Sequence, residues 1–198
     1  MELAIYSAIM IATVTSIART GWIVLGSLRT LGRRRGSVDI QWDWALFLAA
    51  PEVPLPAIIG LWLFFNDGAA PPYPFSRVLC ALLGAGLALG GLSLTIWSWL
   101  SLPSVGTGRY LLEGQSLVRS GAYGLVRHPI YAGAFLIWFG LAAAYTSGVV
   151  LLLTLLYVIP AYVVNTRGEE QMMSSRYGDE YREYQRRVGA FVPRIGGK

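Results

Sequence analysis

This chain is poor in the side chains from which most catalytic and metal sites are built. It has one cysteine, Cys80, set within an apolar run, and one histidine, His128. A lone cysteine excludes a disulfide framework, a thiolate cluster and a redox pair within the chain. A single histidine without a motif-bearing Ser or Cys partner leaves no catalytic triad, and one His with one Cys makes a metal site a poor expectation. Charge is scarce as well, with Asp, Glu, Lys and Arg at 14% of residues, against roughly 25% in soluble domains. The start, Met1-Glu2-Leu3-Ala4, shows no basic leader region and no small-residue cleavage site, so the first apolar run is expected to be a retained span.

What the chain does have is apolar surface. Hydrophobic residues make up 55%, so most of the chain has no water to face, and an all-α integral membrane protein is expected. Spans of about 20 apolar residues are needed to cross a hydrocarbon core of about 30 Å. Five candidate transmembrane helices run from about Leu3 to Leu28, Trp42 to Phe65, Arg77 to Leu102, Pro129 to Tyr145 and Gly148 to Asn165. The last two, joined near Thr146-Ser147, read as a helical hairpin.

The basic residues orient these spans. Arg29, Arg33, Arg34 and Arg35 follow the first, Arg109, Arg119 and Arg127 follow the third, and Arg167, Arg176, Arg182, Arg186, Arg187, Arg194 and Lys198 fill the tail. All fall on one side, which the positive-inside rule makes cytosolic, with the N-terminus outside and the C-terminus inside. The net charge of +5 then reflects orientation and contact with anionic membrane lipid, and no nucleic acid is expected as a partner. In the tail, Met173, Tyr177, Tyr181, Tyr184 and Val188 recur at helical spacing. An amphipathic helix, broken at Gly178 and lying on the headgroups or packed on the protein, is expected there.

Two charges interrupt the apolar runs. Arg19 and Glu52 each stand about ten residues from the cytosolic end of their spans, hence about 15 Å deep. Buried charges in lipid are costly, so the two are expected to pair, beside a kink at Pro51, Pro54 and Pro56; the alternative is a shorter first span with Arg19 snorkelling to the interface. Gly84-Ala85-Gly86 with Gly90 resembles a dinucleotide loop only superficially, because no strand precedes it. Gly86 and Gly90 are expected instead to let a helix approach closely, in the same chain or in a second copy forming a homodimer.

The lone histidine opens an apolar run, in Val126-Arg127-His128-Pro129-Ile130-Tyr131. Pro129 suits a first helical position, and a helix start beside an arginine attracts anions. Counted from the turn at Ser147, His128 lies about 19 residues back and Arg167 about 20 forward, so a hairpin brings them level at the cytosolic interface. The same residues also suit a plain solvated flank, and Tyr131, Phe135 and Trp138 suit simple packing.

The run from Gly114-Gln115-Ser116-Leu117-Val118-Arg119 through Gly121-Ala122-Tyr123 to His128-Pro129-Ile130-Tyr131, then Glu169-Glu170 and Tyr177-Gly178-Asp179-Glu180-Tyr181, resembles the isoprenylcysteine carboxyl methyltransferase family, which is related to the membrane phospholipid methyltransferases. The resemblance covers about the C-terminal half. It implies an S-adenosylmethionine-dependent methyltransferase in which residues 1–102 face a lipophilic or prenylated substrate and residues 103–198 bind the cofactor. Where many relatives have histidine this chain has Gln115, which hydrogen-bonds but carries no charge. Where they often have Gly-Pro-Tyr it has Gly121-Ala122-Tyr123.

The chemistry suits these residue types. Methyl transfer from a sulfonium is an in-line displacement, governed by alignment and exclusion of water. On this reading Glu169 and Glu170 take the cofactor's hydroxyls or ammonium, Tyr123 and Tyr131 support adenine or cation, and His128 with Pro129 at the helix start meets its carboxylate. Backbone at Gln115, Leu117 and Val118 serves the adenine edge. Arg127 and Arg167 remain for a carboxylate acceptor, with Glu170 fixing Arg167 at i,i+3. A prenylcysteine carboxylate is the expected acceptor; a phospholipid amine, an isoprenoid, or a small apolar thiol or acid are alternatives. An NADPH-dependent membrane reductase and a small transporter are the other classes that five spans admit. The expected location is a multi-pass membrane protein with a cytosol-facing site, in the plasma membrane of a prokaryote or the endoplasmic reticulum of a eukaryote.

Overall fold

The computed structural model describes residues 2–31, 39–40, 50–66, 74–102, 110–111 and 116–194. Gln115, Arg33, Arg34, Arg35, Arg109, Lys198 and the start of the second expected span at Trp42 lie outside these residues. Helix α1 runs Glu2–Leu31, α2 Leu55–Phe65, α3 Pro74–Leu100, α4 Ala122–Leu125, α5 Pro129–Ala144 and α7 Asp179–Arg187. Between the last two lies α6, a continuous helix over Gly148–Tyr177. The antiparallel strand pair β1 (Asp39–Ile40) and β2 (Tyr110–Leu111) and an isolated parallel bridge between Val126 and Gly189 are the β-structure among the described residues.

Three helical stretches, Leu3–Leu25, Ser76–Leu100 and Gly148–Tyr177, are long and apolar enough to cross a membrane. Helices α2 and α5 are also apolar but shorter, at 11 and 16 residues, below the roughly 20 of a full span. The reason at α2 is visible in its prolines. A 3-10 turn at Ala50–Glu52 precedes it, and the helix starts afresh with Pro54 at its N-cap and Pro56 in the first turn, where a missing N–H costs least.

Helices α3 and α5 pack with their backbones almost touching. A Cβ on Gly91 would stand 2.5 Å from the Gly133 carbonyl oxygen, and one on Gly140 would stand 2.7 Å from that of Gly84. Gly84 and Gly91 are seven apart and share a helix face; Gly133 and Gly140 repeat that spacing on the partner. Of the two helix approaches expected at Gly86 and Gly90, the one within the same chain is made at Gly84 and Gly91 instead. Gly86 and Gly90 lie on another face, a Cβ on either would meet nothing within 4 Å, and with Leu79, Leu82, Leu83, Leu87 and Leu136 they line an apolar groove. Gly91→Val should therefore destabilise the bundle by about 1–3 kcal/mol or more. Gly86→Ala should leave Tm unchanged or slightly raised, as followed by thermal unfolding in detergent.

The hairpin of α5 and α6 forms as its spacing predicts. It turns at Thr146, which adopts a positive φ of 48°, and the buried Arg77 of α3 donates from Nη1 to the Thr146 hydroxyl. Within α6, residues Thr154–Val158 form a π-helical stretch. Such bulges re-space the i→i−4 ladder, and here one directly precedes Pro160, which has no N–H to give to it. Beyond it, Tyr162, Asn165, Thr166 and Glu169 form one buried face.

Arg19 and Glu52 do pair. Arg19 Nη1 and Nη2 donate to the two Glu52 oxygens at 3.1 and 3.4 Å, and the residues are 1% and 0% exposed. Trp138 Nε1 adds a bond of 3.0 Å to Glu52, and the Tyr162 hydroxyl donates to the other oxygen. Four donors from α1, α5 and α6 thus converge on one carboxylate, so the chain's N-terminal part and the hairpin are joined in the interior.

Candidate functional site

Pro129 is the first residue of α5 and His128 its N-cap. The His128 side chain makes no cap hydrogen bond and is free to face α6, where seven residues past Tyr162 the helix carries Glu169 and Glu170. At 1.5 Å per residue, the 30 residues of α6 extend about 45 Å, longer than a hydrocarbon core of about 30 Å is thick. Glu169 and Glu170 lie toward its C-terminal end.

His128 lies between the two carboxylates. Its Nδ1 is 3.4 Å from Glu169 Oε2 and its Nε2 is 3.2 Å from Glu170 Oε1. Arg127 approaches Glu170 Oε1 with Nε at 3.0 Å and Nη2 at 2.6 Å, and Gln185 Nε2 donates to the other oxygen at 3.1 Å. Glu169 accepts from the Tyr131 hydroxyl and from Asn165 Nδ2 at 3.1 Å, while Asn165 also donates to Tyr131 at 2.8 Å. The His128 ring stacks parallel to Tyr131 with centroids 5.8 Å apart, and Phe191 lies 5.8 Å away on a tilt.

The tail holds this arrangement closed. Gly178, with φ 55°, separates α6 from α7, and Tyr181 and Tyr184 of α7 are buried. The Tyr184 hydroxyl donates to the Tyr123 carbonyl at 2.6 Å. Past α7 the chain runs beside the residues leading into α5: Arg127 N donates to Gly189 O at 2.8 Å and His128 N to Ala190 O at 2.9 Å. Arg127 Nη1 also donates to the Val188 and Gln185 carbonyls. Tyr181 and Tyr184 of the tyrosine stripe therefore pack on the protein beside the site.

The electrostatics follow from burial and pairing. Burial alone would lower His128 from its ordinary 6.5, but hydrogen bonds to Glu169 and Glu170, together with their charge, outweigh it and raise the pKa. For Glu170, burial works upward and is overcome by His128 and Arg127, which hold the carboxyl below its usual range. Burial pushes the Tyr184 phenol up to about 12, and burial with the Glu169 charge raises Tyr123. A raised histidine stabilises the fold fully below its unfolded value near 6.5 and loses that contribution as pH rises through the folded value. Stability of the ligand-free protein should accordingly decline as pH rises above the unfolded value near 6.5, and His128→Gln should flatten that dependence in a Tm-against-pH series.

The expected site residues are only partly brought together. Arg127, His128, Tyr131, Glu169 and Glu170 meet; Pro129 is buried beneath them; Tyr123 stands near Glu169. Leu117 and Val118 are half-buried in a segment without regular secondary structure. The expected pose of Arg167 needs correction: Glu170 is held by Arg127, His128 and Gln185, and Arg167 is exposed. Two residues before Glu169, Arg167 is turned about 200° around the helix, away from the buried face. At the start of α5, the chain's own Glu169 and Glu170 stand beside His128. Asn165, Gln185, Phe191 and the Gly189-Ala190 backbone were not anticipated. Only Asn165, one turn before Glu169, carried a sequence signal.

The described helices form an apolar bundle, three of them long and apolar enough to cross a membrane, with a polar cluster at one end of a helical hairpin, the build of a membrane protein. The phospholipid methyltransferase family matches residues 79–180, just over half of the 198-residue chain, from within α3 to the start of α7 and including Arg127, His128, Tyr131, Glu169 and Glu170, and the chain belongs to that family. It is similar to cobalt-zinc-cadmium resistance protein CzcN of Cupriavidus metallidurans, 34% identical over 114 residues, which are 58% of this chain and 48% of that protein. It is also similar to methanethiol S-methyltransferase 1 of Bradyrhizobium diazoefficiens, 37% identical over 73 residues, which are 36% of this chain and 24% of that protein. The chain thus spans less than half the length of either curated relative.

Proposed function

We propose that this chain is an S-adenosylmethionine-dependent methyltransferase acting on a lipophilic or small apolar acceptor at the cytosolic face of a membrane. The observation that carries the reading is the Glu169-Glu170 pair, held at the mouth of the hairpin by His128, Arg127, Tyr131 and Gln185. The cofactor supplies a methyl group on a sulfonium. The residues present fit it: two carboxylates for an ammonium or ribose hydroxyls, and the aromatic faces of Tyr123 and Tyr131 for adenine or cation. The Thr166 hydroxyl, buried one turn before Glu170, has no hydrogen-bond partner among the described residues. Backbone at Leu117 and Val118 is proposed for the adenine edge, and Pro129 sets the helix start that fixes His128. Arg127 and Glu170 act as a clamp joining α5, α6 and the tail.

The acceptor separates two readings. For a carboxylate such as a prenylcysteine, Arg167 is the arginine proposed to hold the acceptor, since Arg127 is committed to Glu170 and two carbonyls. For a small thiol no arginine is required, and the methanethiol S-methyltransferase likeness favours this second reading. Both are tested by offering the full-length protein, with methyl-labelled adenosylmethionine, a prenylcysteine or a short alkanethiol, in parent and Arg167→Ala forms. The carboxylate reading expects label in the prenylcysteine ester, lost by at least about 100-fold in Arg167→Ala with adenosylhomocysteine binding retained. The thiol reading expects labelled thioether at a rate Arg167→Ala leaves within about twofold. Label in neither acceptor, nor in extracted lipid, rejects the proposed function.

A further inference from the structure

His128 is contacted by a carboxylate at each ring nitrogen: Glu169 Oε2 at Nδ1, 3.4 Å, and Glu170 Oε1 at Nε2, 3.2 Å. A neutral imidazole carries one N–H and one lone pair, so in either tautomer a lone pair would face a carboxylate. Only the imidazolium satisfies both contacts. The groups that face this ring complete the charge set. Arg127 stands beside Glu170, and Tyr131 from α5 bonds Glu169; Tyr123 from α4 and Tyr181 and Tyr184 from α7 surround the pair as neutral phenols. Two carboxylates, one guanidinium and one imidazolium sum to zero. A cation arriving at Glu169 and Glu170 while His128 keeps its proton would put a third positive charge on two negative ones.

We infer that a cation bound at Glu169 and Glu170 exchanges with the proton of His128, so that the site selects cationic over neutral adenosine derivatives and releases a proton as it binds them. The inference rests on the reading of this site as one for adenosylmethionine. The coupling is reciprocal: whatever the cation does to proton affinity, the proton does to cation affinity. In ligand-free protein His128 serves as the internal counter-ion of the carboxylates, keeping two like charges in a partly buried place without a ligand. Binding is consequently weak at low pH and tightens about tenfold per pH unit until the histidine is deprotonated, where it levels. The cation is the ammonium or the sulfonium of the ligand, and the two are separable by experiment.

The test is isothermal titration calorimetry of the purified full-length protein at about pH 6, where imidazole is protonated. Each titration is run in phosphate and in an amine buffer of large ionisation heat. Adenosylmethionine carries ammonium and sulfonium, adenosylhomocysteine the ammonium alone, and 5′-methylthioadenosine neither. Release of about one proton with both of the first two and none with the third assigns the exchange to the ammonium; release with adenosylmethionine alone assigns it to the sulfonium. His128→Gln, which hydrogen-bonds but takes no charge, should bind adenosylmethionine with no proton release and a flat pH profile. Wild-type binding with identical heats in the two buffers, or equal release with the neutral thioether, overturns the exchange and leaves the cofactor reading intact. No binding of any of the three overturns the cofactor reading itself.

Discussion

Glu52→Ala should be the most damaging single substitution in the interior, lowering stability by about 3–5 kcal/mol as measured by thermal unfolding in detergent. Four donors converge on this carboxylate, from Arg19 twice, Trp138 and Tyr162. Removing it leaves the Arg19 charge, 1% exposed, in an apolar surround. Most of the loss is therefore the cost of the unpaired arginine, not the worth of the pair. Replacing both partners with apolar residues of similar volume, Arg19→Met with Glu52→Leu, should recover most of the stability, because a buried pair roughly balances its own desolvation. A double variant no more stable than Glu52→Ala would contradict that explanation. The site should also respond, since Tyr162 contacts the Tyr131 ring at 4.4 Å and Tyr131 holds Glu169.

Glu170→Ala should weaken adenosylhomocysteine binding by about 10- to 100-fold, the equivalent of one or two charge-assisted hydrogen bonds at about 1.5–3 kcal/mol. It removes the anion shared by Arg127, His128 and Gln185. The backbone bonds from Arg127 to Gly189 and from His128 to Ala190 remain, so the tail should stay docked and Tm should fall by only a few degrees. Glu183→Ala is the control. That residue pairs on the surface with Arg186 and Arg187, where ion pairs are worth little, and binding should be unchanged.

The spacing of the hairpin is what made the site readable. Equal arms on either side of Ser147 put His128 level with Glu169 and Glu170, because the rise per residue of a helix is fixed. The Arg19–Glu52 pair was legible for a similar reason: two charges at matched depth in apolar runs have few other partners. Three features escaped. The phase of the close-packed glycines depends on which face of α3 meets α5, and Gly84 and Gly91 differ from Gly86 and Gly90 only in that. The partner of Glu170 depended on side-chain direction around α6: Arg167 is near in sequence, but Arg127 comes from across the hairpin. The tail segment 188–190 binds through backbone groups, which leave no mark in side-chain patterns.

The central claim is that Glu169 and Glu170, with His128 and Arg127, form a site for an adenosyl cofactor. Titration of purified full-length protein with adenosylhomocysteine, with NADPH as the parallel ligand and Glu170→Ala as the parallel protein, tests it most directly. The account predicts saturable binding of adenosylhomocysteine, no binding of NADPH, and loss of at least about tenfold in affinity on removing Glu170. Saturable binding of NADPH with none of adenosylhomocysteine would contradict it and point to a reductase. Adenosylhomocysteine affinity unaltered by Glu170→Ala would move the cofactor to a different part of the protein.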